Sequence, residues 1–155
     1  MDWEGFKGQV PGLAALAEDR FGRTGLVLLG TLRRNGYPRI SPVEPLLAHG
    51  KLYLGMMWQS RKALDLRRDP RCTINSVVAN KNASEGEFKL FGRAVEISDP
   101  AERERYGVAL AEQLGVDVGE FEDFHLFAID LESASYAEVR GQEWYREFWS
   151  VDGFQ

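Results

Sequence analysis

Apolar and polar positions divide the chain into short periodic segments separated by turn chemistry. Leu13, Leu16, Ala17, Arg20 and Phe21 recur at helical spacing and predict a helix from Pro11 to Phe21. The nearly continuous apolar run GLVLLGTL (25–32) predicts a buried strand. Asn35-Gly36, a strong hairpin signal, joins it to PRISPVEPLL (38–47), where three prolines predict a bulged or edge strand. The turn AHGK leads into a third strand, LYLGMMW (52–58). A short helix follows in SRKALDLRRDP, with Ser60 as N-cap and Asp69-Pro70 as stop.

RCTINSVV (71–78) then reads as a strand, NKNASEGE as an exposed loop and FKLFGRAVEIS (88–98) as a long strand. Gly92 marks a bend or close approach within that strand. Asp99-Pro100-Ala101-Glu102 resembles a capping box and opens a helix that ends at Gly115. Tyr106, Ala109, Leu110, Gln113 and Leu114 are its expected inner face. FHLFAIDLESASYAEV supplies the closing strands, and Trp144, Phe148 and Trp149 near the end fall at about helical spacing. Six antiparallel strands with two to three short peripheral helices predict a mainly β fold, a small barrel rather than alternating βαβ units.

With 155 residues the chain is expected to form one domain, residues 1–155. No apolar run approaches the roughly 18 residues of a membrane span, and the first ten residues lack the charged and apolar regions of an export signal. Cys72 is the single cysteine, so no intrachain disulfide forms, and a cytoplasmic location is expected. Two histidines and one cysteine, far apart, argue against a structural metal site. The net charge of −5 is unevenly spread. Residues 1–77 carry twelve Lys/Arg against seven Asp/Glu, whereas residues 78–155 carry seven against seventeen. A basic half in an acidic protein suggests a local anion site. Nucleic-acid binding is disfavoured, because the basic residues are not interleaved with aromatics that could stack bases.

The helix after Trp58 carries the most informative charges. Arg67 and Arg68 lie in its last turn and complement the helix dipole. Arg61 and Lys62 lie in its first turn, where the dipole repels cations by about 0.3–1 kcal/mol at an exposed site. Either both side chains extend into water, or an anion sits among them, the Ser60 hydroxyl and the free N–H groups.

TLRRNGYPRISPV, GKLYLGMMWQSRKALDLRRDPRCTI and FKLFGRAVEI occur in that order. Together they resemble the pyridoxamine 5′-phosphate oxidase-like family, the FMN-binding split-barrel proteins. The resemblance is best from Gly25 to Ile97 and implies a homodimer with the cofactor in a groove at the subunit interface. By matching position it implies that Ser60, Arg61 and Lys62 bind the FMN phosphate. Arg39, Ile40 and Ser41 would line the pocket, Met56 and Met57 would lie beside the ring, and Lys89 or a neighbour would reach across. GMMW replaces a more polar segment of the authentic oxidase, and the C-terminus lacks that enzyme's arginine-bearing close. Pyridoxine-phosphate oxidation is therefore not implied. Relatives include reductases that use the deazaflavin coenzyme F-420, and haem-handling proteins.

Other residues read more plainly. His49 falls in a surface turn, and Cys72 in a core strand position. His125 reads as a strand histidine with satisfied hydrogen bonds, the alternative being a haem ligand or proton donor. Arg33 and Arg34 read as a solvated turn, and the terminal aromatics as packing over the barrel or onto a partner chain. No nucleophilic triad or carboxylate pair stands out. The expected function is thus an FMN-dependent oxidoreductase acting on a small molecule. A deazaflavin-dependent reductase and a non-catalytic flavin- or haem-binding protein are the alternatives.

Overall fold

The computed structural model describes residues 1–115 and 123–153. Its elements are α1 (Trp3–Gln9), α2 (Pro11–Thr24), β1 (Val27–Leu32), β2 (Pro38–Val43), β3 (Pro45–Ala48), β4 (Lys51–Met57), α3 (Arg61–Arg68), β5 (Arg71–Ser76), β6 (Glu87–Glu96), α4 (Pro100–Leu114), β7 (Phe124–Arg140) and β8 (Glu143–Ser150). All eight strands belong to one antiparallel sheet, in the order β2-β1-β5-β6-β7-β4-β3, with β8 pairing only to β7. The path does not close on itself, as in a split barrel.

The mainly β class is as expected, and the described residues form two strands and one helix more than the six strands and three helices expected. PRISPVEPLL breaks at Glu44 into β2 and β3, which pair with different strands, β1 and β4. The segment with Trp144, Phe148 and Trp149 is not helical but forms β8, whose alternation buries Trp149 and exposes Trp144 and Phe148. Helix α1 escapes sequence reading because it has only seven residues, including Gly5 and Gly8. Asp2 caps it, and its buried Trp3 and Phe6 hold it to the core. Of the expected inner face of α4, only Tyr106 is fully buried, while Gln113 and Leu114 are exposed.

The main core lies between helices α1–α3 and one side of the sheet, where Phe6, Leu13, Leu29, Leu54, Ile74, Phe88, Phe127 and Leu131 meet. A smaller cluster under α4 joins Leu46, Tyr53, Ile97, Tyr106, Leu126 and Ala128. Strand register then decides which side chains look inward. On β1, Val27, Leu29 and Thr31 are buried, so their partners Val43, Ser41 and Arg39 on β2 share that face. Ile40 pairs with Gly30 and points the other way, 71% exposed. Gly92 sits at a register shift between β6 and β7, where a Cβ would run into the Asp130 carbonyl oxygen.

Candidate functional site

Two cavities flank the loop between β4 and α3. The larger, about 710 Å³, is lined by Arg33, Arg34, Asn35, Arg39, Arg61, Leu64, Asp65 and Arg68. Its walls follow from local structure. Arg61, Leu64, Asp65 and Arg68 stand three, four and seven residues apart and therefore form one face of α3. Opposite them, the β1–β2 turn closes through the Gly36 N–H to Arg33 O and the Arg33 N–H to Tyr37 O. Gly36 takes φ +85°, which a glycine adopts at little cost, and this presents Arg33 and Arg34 side by side.

Among the described residues Asp65 is the only carboxylate lining the cavity, and it is almost fully buried. Its Oδ2 accepts from Thr31 Oγ1 at 2.8 Å and Arg39 Nε at 2.7 Å, and its Oδ1 from Arg68 Nη2 at 3.2 Å. Burial works to raise the carboxyl pKa, but hydrogen bonds from Arg39, Thr31 and Arg68 prevail and hold it below the ordinary aspartate value. Arg68 also donates to the Leu32 carbonyl, which ties the end of α3 to the start of the turn. Asp65 thus fixes two guanidiniums and leaves Arg33, Arg34 and Arg61 without an ion-pair partner among the described residues.

The second cavity, about 480 Å³, is lined by Glu44, Gly55, Met56, Met57, Trp58, Tyr106, Leu110, Asp123 and Phe124. Gly55 leaves room for the Tyr106 hydroxyl, which lies where a Cβ would be. Burial raises the Tyr106 pKa, with the nearby Glu44 charge adding to it, to about 12, so the phenol stays protonated at neutral pH. At the wall of this cavity Trp58 stacks on His125, with ring centroids 4.4 Å apart and planes 10° apart. His125 Nδ1 lies 3.3 Å from Glu96 Oε1, while its buried Nε2 has no partner. The satisfied histidine expected from sequence is therefore only half satisfied.

The residues singled out in the sequence do not all converge within one chain. Arg39 and Arg61 line the arginine cavity. Ser41 shares Arg39's strand face, and Ser60 caps α3 by position but not by a side-chain hydrogen bond; its Oγ is buried without a partner. Lys62 is half-buried and does not line the cavity. Met56 turns into the core beside His125, whereas Met57 is 79% exposed. Ile40 lies on the outer sheet face, and Lys89 on β6 pairs with Glu87 at 3.3 Å. The sequence marks Arg33 and Arg34 only as a solvated turn and Arg68 only as a last-turn cation, yet all three line the cavity. The hint was the Arg-Arg pair next to a tight turn, but only folding brings it opposite α3. Cys72 is buried as expected, and burial, followed by the Glu132 charge, pushes its thiol up to about 12.

The architecture defines the class first: an antiparallel split barrel with peripheral helices. Within that class the chain belongs to the pyridoxamine 5′-phosphate oxidase family, whose sequence profile matches residues 14–138. No curated protein sequence matches the chain. Among solved structures, it resembles a Clostridium acetobutylicum protein of the pyridoxinephosphate oxidase family related to general stress protein 26 of B. subtilis. The two share 22% identity over 90% of this chain and 96% of that one, with a TM-score of 0.63. ChuZ of Campylobacter jejuni superposes with a TM-score of 0.73 at 15% identity, over 92% of this chain and 61% of that one. A heme binding protein from Mycobacterium smegmatis gives a TM-score of 0.66 at 20% identity, over 89% and 58%. At these identities the likeness concerns the fold alone. Among the described residues no helix is long and apolar enough to cross a membrane, and no His/Cys/Asp/Glu group is placed to hold a metal ion.

Proposed function

We propose that this protein is an FMN-dependent oxidoreductase that works as a homodimer. The observation that carries the reading is Arg61, an unpaired cation at the N-terminus of α3 facing a cavity of further guanidiniums. An anion there would relieve repulsion among like charges, accept from free backbone N–H groups and lie at the positive end of the helix dipole. The unpartnered Ser60 hydroxyl adds an unused donor at the same helix start. Exposed Met57 and Trp58, just before it, offer apolar surface to a ring system. These residues fit the phosphate and ring of FMN, with Arg39 held ready by Asp65 and Lys62 adding charge at the helix end.

FMN, when bound, supplies the electron-transfer chemistry. The chain's own contribution is to anchor the phosphate, present an apolar face and exclude water. In this reading Ile40, Ser41 and Lys89 approach the cofactor as members of the dimer groove. The deazaflavin coenzyme makes similar demands on the anion site. Parallel fluorescence titrations of ligand-free protein with FMN and the deazaflavin coenzyme test the assignment. Micromolar or tighter FMN binding that weakens tenfold or more in the Arg61→Ala/Lys62→Ala variant supports it. Unchanged affinity in that variant removes the phosphate assignment, and preference for the deazaflavin selects the reductase alternative.

A haem-binding role has one specific observation in its favour, the buried and unpartnered Nε2 of His125. That nitrogen is buried, so iron could reach it only after the groups covering it moved aside. A haem titration followed in the Soret band, with His125→Ala as control, distinguishes this role from FMN binding.

A further inference from the structure

The second cavity is the chemical opposite of the arginine cavity. Its floor is mostly apolar: Met56 and Tyr106 are almost fully buried, and Leu110, one helical turn beyond Tyr106 on α4, is half-buried. Its rim is acidic. Glu44 and Asp123 line it, both exposed, and among the described residues neither has an ion-pair partner. No described Lys, Arg or His lines the cavity. The two carboxylates reach it only through the fold. Glu44 sits at the break where the chain leaves β1 and turns to pair with β4. Asp123 immediately precedes β7, whose first residue, Phe124, pairs with Met57 at the end of β4.

Two uncompensated carboxylates at the mouth of an apolar cavity disfavour an anionic ligand, and a cation held there gains from both. Glu44 is close enough to the floor for its charge to oppose ionisation of the Tyr106 phenol. Trp58 adds a π surface to the same wall. It stacks on His125, yet it is still 52% exposed, so an open face remains for a cation. Phe124 already serves a cation in this way, with the Arg103 guanidinium 4.1 Å from its ring centroid. Arg103 itself does not line the cavity, and it donates to the carbonyls of Ile97 and Phe124 rather than to a rim carboxylate.

We infer that this cavity binds a small organic cation, an ammonium group carried on an apolar or aromatic body. The body lies against Met56, Tyr106 and Leu110, and the charge is held by Glu44 and Asp123 beside Trp58. The volume of about 480 Å³ falls within the roughly 300–1,000 Å³ of small-molecule pockets. Met57 and Trp58 also belong to the surface offered to the flavin ring, which makes the cation the co-substrate of the oxidoreductase. That assignment rests on the FMN reading, whereas the preference for positive charge does not.

Calorimetric titration of ligand-free protein with two probes of one shape, phenethylammonium and phenethyl alcohol, tests it. The ammonium is expected to bind at least fivefold more tightly than the neutral alcohol. Glu44→Gln/Asp123→Asn is expected to bring the two within twofold of each other while changing the affinity for the alcohol less than twofold. Both positions are exposed, so the fold tolerates the change. Trp58→Leu is expected to weaken the ammonium at least threefold. Equal affinities in the wild type overturn the site, as does binding of neither probe, or a preference for the ammonium that survives in the Glu44→Gln/Asp123→Asn variant. The titration is then repeated on FMN-saturated protein. Ammonium binding that persists there and still depends on Glu44 and Asp123 supports the co-substrate assignment, and mutual displacement of the ammonium and FMN removes it. If the protein takes up no FMN at all, the comparison on ligand-free protein still reads the cation site, so the two claims fail separately.

Discussion

Asp65 shows how a single residue prepares the site. Its carboxylate is buried, satisfied by three donors and depressed in pKa, so it is charged in the folded state at neutral pH. Asp65→Ala would release Arg39 and Arg68 and leave Thr31 without its acceptor. A loss of about 1–3 kcal/mol in urea denaturation is expected, with weaker anion binding because two guanidiniums lose their support. The sign of the pH effect follows from the depression: the stabilisation is complete above the unfolded pKa of about 3.9 and is lost as pH falls through the folded value. Glu102 and Glu138 are depressed as well, so the comparison with Asp65→Asn isolates the Asp65 share. The variant's stability should fall less steeply on acidification. Gly92 is a second residue-scale case. The neighbour that blocks a Cβ there is backbone, not a flexible side chain, so Gly92→Ala should cost about 1–3 kcal/mol, read from thermal or urea unfolding.

At the scale of elements, α3 and β8 show two ways in which local pattern and structure relate. Helix α3 was legible from its stop residues and its cations, and its observed span of Arg61–Arg68 matches. Which cations share a face was open to calculation, since Arg61 and Arg68 are seven residues apart whereas Lys62 is turned about 100° away. Strand β8 is not evident from the sequence, because Trp144, Phe148 and Trp149 fall at about helical spacing. Pairing along β7 from Ser133–Ser150 to Arg140–Glu143 overrides that local coincidence. The strand assignment makes a contrast that a helix would not. Trp149 packs on Phe6 with centroids 4.8 Å apart and donates to Gln9 at 2.8 Å, so Trp149→Ala should cost about 3–5 kcal/mol. Trp144, 55% exposed on the opposite face, should cost below about 1 kcal/mol when truncated. Paired denaturant melts of the two variants check this.

At the scale of the molecule, the outer face of the sheet completes the homodimer reading. Ile40, Gly30, Thr73 and Phe91 lie in one register row across β2, β1, β5 and β6. Ile40 and Phe91 are 71% and 46% exposed, and Tyr37 beside the turn is 69% exposed. Apolar groups in such a row gain by mutual burial. Light scattering should return twice the 17.5 kDa chain mass, and Ile40→Glu with Phe91→Glu should return the monomer mass. A monomeric wild type would remove the shared-groove arrangement, together with the approach of Ile40 and Lys89 to the cofactor.

The sequence by itself determined the mainly β class, the helix from Pro11, the Asn35-Gly36 hairpin, helix α3 and the capped helix α4, and the concentration of cations in the first half. These are properties of near neighbours: periodicity, caps and turn residues act within a few positions. Tertiary structure alone decided that Arg33 and Arg34 face α3, that Asp65 holds Arg39 and Arg68, and that Met56 turns inward while Met57 does not. It also decided that His125 lies under Trp58 with one nitrogen unpaired. Each of these depends on strand register or on a helix face meeting a distant turn. A shift of one residue in register would send every side chain of a strand to the other face, and β4 takes its register against β7, far along the chain, where no neighbouring turn fixes it.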